Sequence, residues 1–141
     1  IIGDADVIDP MIYNFVPITL SFTNVSSTGI DINYESNAEI AGFQFNVEGV
    51  TLTSASGGDA EENGLSISFM STVLGLSFSG ATIAVGSGTL LSLEFEVSSE
   101  NTTLEVSNVV ISDPDGSSIP SSGPGSIEIP PDLFEFNQSL L

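Results

Sequence analysis

The chain has 141 residues, 40% of them hydrophobic, and a formal charge of −19 carried by 19 Asp and Glu with no Lys, Arg or His. Nothing in it can neutralise phosphate, so nucleic acid and an anionic membrane surface are excluded as direct partners. Without His, Cys, Lys or Arg there is no Ser-His-Asp triad, thiolate nucleophile, Schiff-base lysine or phosphate-binding lysine.

Two-carboxylate hydrolysis and an aspartic-protease dyad remain formally possible. Among nineteen carboxylates some pair is unavoidable, and no Asp-Thr-Gly or Asp-Ser-Gly is present. The reading is therefore of a protein that is not an enzyme. Side-chain salt bridges cannot form, so each carboxylate is solvated, accepts hydrogen bonds, meets a cation or becomes protonated. Salt relieves the self-repulsion, because the screening length falls from roughly 10 Å at 0.1 M to roughly 3 Å at 1 M. Absence of Cys removes disulfides, and absence of Lys and Arg removes every tryptic site. The chain begins at Ile1 and shows no signal peptide, which reads as a processed product or a fragment.

Residues 1–16 are expected to form an N-terminal extension. Asp4, Asp6 and Asp9 are spaced loosely like a calcium loop, but Ile8 and Asp9 stand where such a loop wants a ligand and a glycine. From Pro17 the period is two. Ile18, Leu20 and Phe22 alternate with Thr19, Ser21 and Thr23, and a turn over Asn24–Gly29 leads to Ile30, Ile32 and Tyr34. Ile40–Glu48 places Phe43, Phe45 and Val47 on one face and Gln44, Asn46 and Glu48 on the other.

Val50–Ser54 follows past Gly49, then a polar loop over Ser56–Gly64 with room for one helical turn at Asp59–Asn63. Leu65–Phe69 and Val73–Phe78 read as strands, and Gly80–Gly88 as a turn-rich crossover. Thr89–Val97 is expected to be the longest strand, with Leu91, Leu93, Phe95 and Val97 inward. Leu104–Ile111 is the last of the regular run. The four glycines and the period of two in Leu74–Leu93 argue against a membrane span. Roughly eight or nine short strands with no helical period predict an all-β sandwich over 17–111. Residues 112–126, SDPDGSSIPSSGPGS, read as a linker or extended loop, and 127–141 as a C-terminal strand or assembly tail.

Metal sites in such a chain are oxygen-only, which points to Ca²⁺ or Mg²⁺. Asp113 and Asp115 around Pro114 and before Gly116 are one candidate, set against a β-turn with Pro and Gly in favoured places. Asp59, Glu61 and Glu62 are a second, set against a solvated loop. No cofactor is otherwise expected. Gln44, Asn46 and Glu48 mark a candidate binding face. A sugar platform wants exposed aromatics, whereas there is no Trp and most of the nine Phe fall on inward positions. Asn24, Asn101 and Asn137 start N-x-Ser/Thr sequons, of use only in a glycosylating cell.

The runs IAGFQFNVEGVTLTSASGG, STVLGLSFSGATIAVGSGTLLSLEFEV and LEVSNVVISDPDGSSI resemble the cohesin-like domains of secreted proteins of marine bacteria and virion proteins of marine phages. The similarity spans about Pro17 to Ile119. It implies a nine-stranded jelly-roll sandwich with a binding or structural role outside the cell. Cohesins proper bind dockerins, but no residue here matches a motif that would transfer that contact.

Two functions follow as expectations. One is a structural subunit of an extracellular or virion-surface assembly (fibre, filament or decoration layer), a homo-oligomer joined through its apolar ends, Ile1-Ile2 and Leu140-Leu141. The other is a recognition module for a protein or glycan ligand, with or without calcium, without insertion into a membrane.

Overall fold

A computed structural model describes residues 16–97 and 102–130. Eleven strands and one short helix follow in order: β1 (Ile18–Thr23), β2 (Gly29–Ser36), β3 (Gly42–Glu48), β4 (Thr51–Ser56), α1 (Gly58–Glu62), β5 (Ser66–Phe69), β6 (Thr72–Leu76), β7 (Gly86–Glu96), β8 (Thr103–Ser112), β9 (Ser118–Ile119), β10 (Ser121–Ser122) and β11 (Ser126–Glu128). They form two sheets, ordered β10-β1-β2-β7-β4 and β11-β8-β3-β6-β5, with β9 pairing β8. The all-β sandwich expected from the alternation is what the chain builds. Most neighbours within a sheet are not consecutive in sequence, because the chain repeatedly crosses between sheets.

Alternation fixes which side chains meet in the middle. From the first sheet come Ile18, Leu20, Ile30, Ile32, Leu91, Leu93 and Phe95; from the second come Phe43, Phe45, Val47, Val73, Leu104, Val106 and Ile111. All are buried. Each such side chain contributes about 1.5–3 kcal/mol on leaving water. The Phe43 and Phe45 rings lie 6.1 Å apart, tilted by only 16°. Phe43 sits opposite Gly75 on β6, and a Cβ at Gly75 would come within 2.4 Å of its ring. Glycine there makes room for the aromatic.

Three bulges adjust strands whose hydrophobic parity changes along their length. On β7 the register passes from Ile32–Leu91 to Asn33–Thr89, so Leu90 is the extra residue and is buried together with Leu91. On β8 the inward set changes from Leu104 and Val106 to Ile111, and the register opposite β3 shifts between Gln44 and Asn46. Asn108 takes the step with φ of 53°, a left-handed conformation that Asn tolerates. The third shift, on β4, lies between Leu52 and Ser54.

Three expectations need correction. Val97 lies beyond the end of β7 and is 37% exposed, since the strand stops before its side chain can turn inward. The crossover expected to reach Gly88 ends sooner, because Gly86–Gly88 already pair with Ser36–Tyr34. The stretch 112–126, read as a linker or extended loop, is largely built into the sandwich. Ile119 of β9 is buried beside β8, β10 runs parallel to β1, and β11 begins at Ser126. Its Pro and Gly residues separate these short strands rather than keeping the chain off the domain. Of 127–141, the start is a strand of its own domain: Ile127 pairs Leu104, and Ile129 is buried with its N–H donating to Thr102 O at 2.8 Å. The rest, 131–141, and the extension 1–15 lie outside the described residues.

Candidate functional site

The two outer faces of the sandwich differ in chemistry. On the first sheet the outward rows run Thr23–Asp31–Ser92 and Ser21–Asn33–Thr89. These polar groups satisfy one another. Asp31 accepts from Ser92 Oγ at 2.6 Å and from Asn24 Nδ2 at 2.8 Å, while Asn33 Oδ1 accepts from Thr23 at 2.9 Å and Thr89 at 3.4 Å. No apolar side chain stands in these rows.

The second sheet is different, and β3 is its central strand. Gln44 has Val110 opposite it on β8 and Leu74 on β6; the next row carries Ser112, Gly42 and Leu76. Val110 is 43% exposed and Leu76 36%. In the other direction Asn46 stands between Ser107 and Thr72, whose hydroxyl donates to Asn46 Oδ1 at 2.7 Å. One row further, Glu48 lies directly opposite Glu105, and Ser126 of β11 completes the row. The expected outward set Gln44, Asn46 and Glu48 thus lies on this face, with apolar residues at one end and two opposed carboxylates at the other. Beyond the ends of β6, Met70 and Phe78 are each 83% exposed.

Sequence reasoning passed over Leu74, Leu76 and Phe78, although a signal was present: their parity is opposite to that of buried Val73. Among the described residues Phe78 is also the exception to the reading of Phe as core; Phe43, Phe45 and Phe95 are buried, whereas Phe78 projects from a turn in which Ser77 Oγ accepts from the N–H groups of Ser79 and Ala81.

The metal candidates occupy two local structures. Asp113 Oδ1 accepts from the N–H groups of Asp115 and Ser117, both at 2.9 Å, and Gly116 N–H donates to Asp113 O at 2.9 Å with Gly116 at φ +88°. This is the tight turn joining β8 to β9. Asp59, on α1, accepts a hydrogen bond from the Tyr34 hydroxyl at 2.5 Å. Tyr34 faces Gly88 across β2 and β7, and a Cβ at Gly88 would meet Asp59 Oδ2 at 2.6 Å, so glycine leaves the opening through which the two groups touch. Burial first, and then the Asp59 carboxylate, push the phenol well above the usual tyrosine range. Glu61 reaches back to accept from the N–H of Gly57, the residue before α1, at 2.7 Å, and Glu62 is exposed. Among the described residues, no three Asp or Glu side chains gather to hold a metal ion.

Of the sequons, Asn24 sits exposed at the β1–β2 turn with φ of 54°, its amide spent on Asp31, while the Ser26 hydroxyl accepts from Thr28 and Gly29 N–H groups. Asn101 and Asn137 fall outside the described residues. No helix among the described residues is long and apolar enough to cross a membrane.

No family model matches the chain, and neither does any curated protein. Solved structures do resemble it. A non-cellulosomal cohesin of the hyperthermophilic archaeon Archaeoglobus fulgidus superposes with a TM-score of 0.58 at 15% identity, covering 88% of this chain and 96% of that one. A type I cohesin of Clostridium thermocellum, solved in a cohesin–dockerin complex, gives 0.58 at 13% identity over 82% and 95%. A type II cohesin domain from the cellulosome of Acetivibrio cellulolyticus gives 0.54 at 14% identity over 81% and 94%. At these identities the likeness is one of fold: the chain is an all-β sandwich of cohesin-like architecture.

Proposed function

We propose that this chain is a non-catalytic recognition module that docks a protein partner on the outer face of the sheet β11-β8-β3-β6-β5. The observation that carries the reading is the row Val110–Gln44–Leu74, continued by Leu76. It leaves apolar side chains on the centre of the sheet, whereas the outward rows Thr23–Asp31–Ser92 and Ser21–Asn33–Thr89 of the opposite sheet carry polar groups that satisfy one another. A sheet face of this kind gains by covering its apolar patch, and the polar side chains beside it supply direction. The cohesin-like fold supports the reading. The chain's acidity favours saline surroundings outside the cell or on a cell or virion surface.

The test is differential capture from native extract by three immobilised chains: wild type, Val110→Asp on this face, and Ser21→Asp on the other. A partner held by wild type and Ser21→Asp but lost by Val110→Asp supports the reading; equal capture by all three overturns it. Assembly of a fibre or decoration layer through the chain ends remains an alternative role, and it is decided by residues 1–15 and 131–141. Electron microscopy of chains lacking each segment tests it, with unchanged assembly counting against it.

A further inference from the structure

We infer that copies of this chain associate head to tail, with the apolar segment 131–141 of one copy seated on Phe78 and Val85 of the next. This contact is separate from docking on the sheet face, and it gives the alternative assembly role a direction and a seat. The described chain enters and leaves the sandwich at opposite ends. It enters at Pro17, beside the row Ile18–Ser36–Gly86, where Asn37 N–H donates to Pro17 O at 2.9 Å. The row Gly42–Leu76–Ser112 of the other sheet lies at the same end, which the Ile40–Ile83 bridge also ties together. The chain leaves past Ile129, beyond the Glu128–Thr103 pair, at the end that carries the pairs Glu48–Glu105 and Thr51–Glu96.

The exposed apolar side chains are sorted in the same way. Apart from Leu76 and Val110 on the sheet face, the large hydrophobics exposed among the described residues all lie at the two ends. Phe78 and Val85 stand on the crossover between β6 and β7 at the entry end, 83% and 58% exposed. Val25 on the β1–β2 turn, Met70 on the β5–β6 turn and Val97 just past β7 stand at the exit end. Such side chains gain by being covered. The chain's own tail cannot bring its aromatics to Phe78. From residue 130 it would have to run back along the ten residues of β8, about 30 Å. Phe136 lies only six positions beyond residue 130, a reach of about 20 Å at full extension. Between copies stacked end to end, the exit end of one faces the entry end of the next, and Leu133, Phe134 and Phe136 come within reach of the seat. Donor and acceptor are different surfaces, so the contact is heterologous and leaves each copy free to take another at its other end. Each copy carries −19 with no basic side chain, so the contact strengthens as salt shortens the screening length.

Sedimentation velocity of the full chain in about 1 M NaCl, over a range of protein concentration, tests this. Wild type and the polar-face control Ser21→Asp are expected to form species larger than a dimer, which grow with concentration and shrink as NaCl is lowered to about 0.1 M. Phe78→Ser should weaken the association about tenfold or more, and so should Phe134→Ser/Phe136→Ser. Mixed together, these two variants should pair one to one and stop at the dimer, since one supplies an intact tail and the other an intact seat. Val85→Ser and Leu133→Ser stand in for a variant that thermal unfolding shows not to fold. A wild type that stays monomeric at every salt and protein concentration overturns the inference. So does assembly that the tail substitutions leave unchanged, which would make segment 1–15 of the same copy the cover of Phe78. So does a failure of the two variants to pair when mixed, which would make the contact between copies isologous. None of these outcomes bears on capture of a partner by the sheet face, so the two readings stand or fall separately.

Discussion

Glu48 and Glu105 stand directly opposite each other on adjacent central strands, in a chain that has no cationic side chain to place between them. A like-charged cross-strand pair is a standing cost to the free protein. Replacing either residue with Gln should therefore stabilise it, by about 0.5 kcal/mol at low salt, with the gain shrinking as salt rises. Urea midpoints of wild type and Glu48→Gln at low and high NaCl check this. A midpoint that is lower in the variant, or a gain that grows with salt, would contradict the assignment of repulsion to this row.

Tyr34 and Asp59 tie α1 to the first sheet through one short hydrogen bond beside Gly88. Tyr34→Phe removes the donor and should cost about 1 kcal/mol. The pH dependence has a definite sign. The phenol is held above its unfolded value of about 10, so its contribution is fully present below that pH and declines above it, as the unfolded chain ionises and the folded one does not. Wild type should lose stability as pH rises above about 10, and Tyr34→Phe should lose less. Parallel slopes for the two proteins would refute the linkage.

Phe43 and Gly75 form a second matched pair. Gly75→Ala places a methyl group within 2.4 Å of the Phe43 ring and should destabilise the sandwich by about 1–3 kcal/mol. Adding Phe43→Leu, which withdraws the ring edge, should recover part of that loss, so the two substitutions are coupled rather than additive. A double-mutant cycle by chemical denaturation measures the coupling, and strict additivity would argue against the contact.

The β8–β9 turn separates a structural from a metal-binding role for Asp113. Asp113→Asn keeps an oxygen that can accept from the N–H groups of Asp115 and Ser117 but removes the charge a calcium ion would need. Asp113→Ala removes both bonds. Stability should be nearly unchanged in the first variant and lower by about 1 kcal/mol in the second, with no dependence on added CaCl₂. A calcium-dependent rise in melting temperature seen in wild type and lost in Asp113→Asn would favour the metal.

How far the sequence reached can be argued from particular residues. Ile18, Leu20, Ile30, Ile32, Phe43 and Phe45 were legible as core because a strict period of two assigns a face with no tertiary information. The outward placement of Gln44, Asn46 and Glu48 followed from the same rule. What surrounds them did not, because the partner across β8 depends on the bulge at Asn108. Without that extra residue Glu48 would face another neighbour, and periodicity does not locate a bulge. Leu90 was lost for the same reason on β7. The segment 112–126 misled through composition. Pro, Gly and Ser report breaks in regular structure, but they do not report whether the short pieces between the breaks find a sheet edge, as β9, β10 and β11 do.

The C-terminal boundary follows from those pieces. A chain ending at residue 130 keeps β11 and the buried Ile129, whereas one ending at residue 126 loses the Ile127–Leu104 and Glu128–Thr103 pairings and the Ile129 side chain. The shorter chain should be less stable by about 2–4 kcal/mol, comparable to Ile129→Ala alone, for which the loss of a buried aliphatic side chain sets the scale. Any loss of assembly on removing 127–141 would then be ambiguous between a broken fold and a missing contact, and the cut after residue 130 resolves it. If that chain melts as early as the one ending at 126, Ile129 and β11 are not what anchors this end.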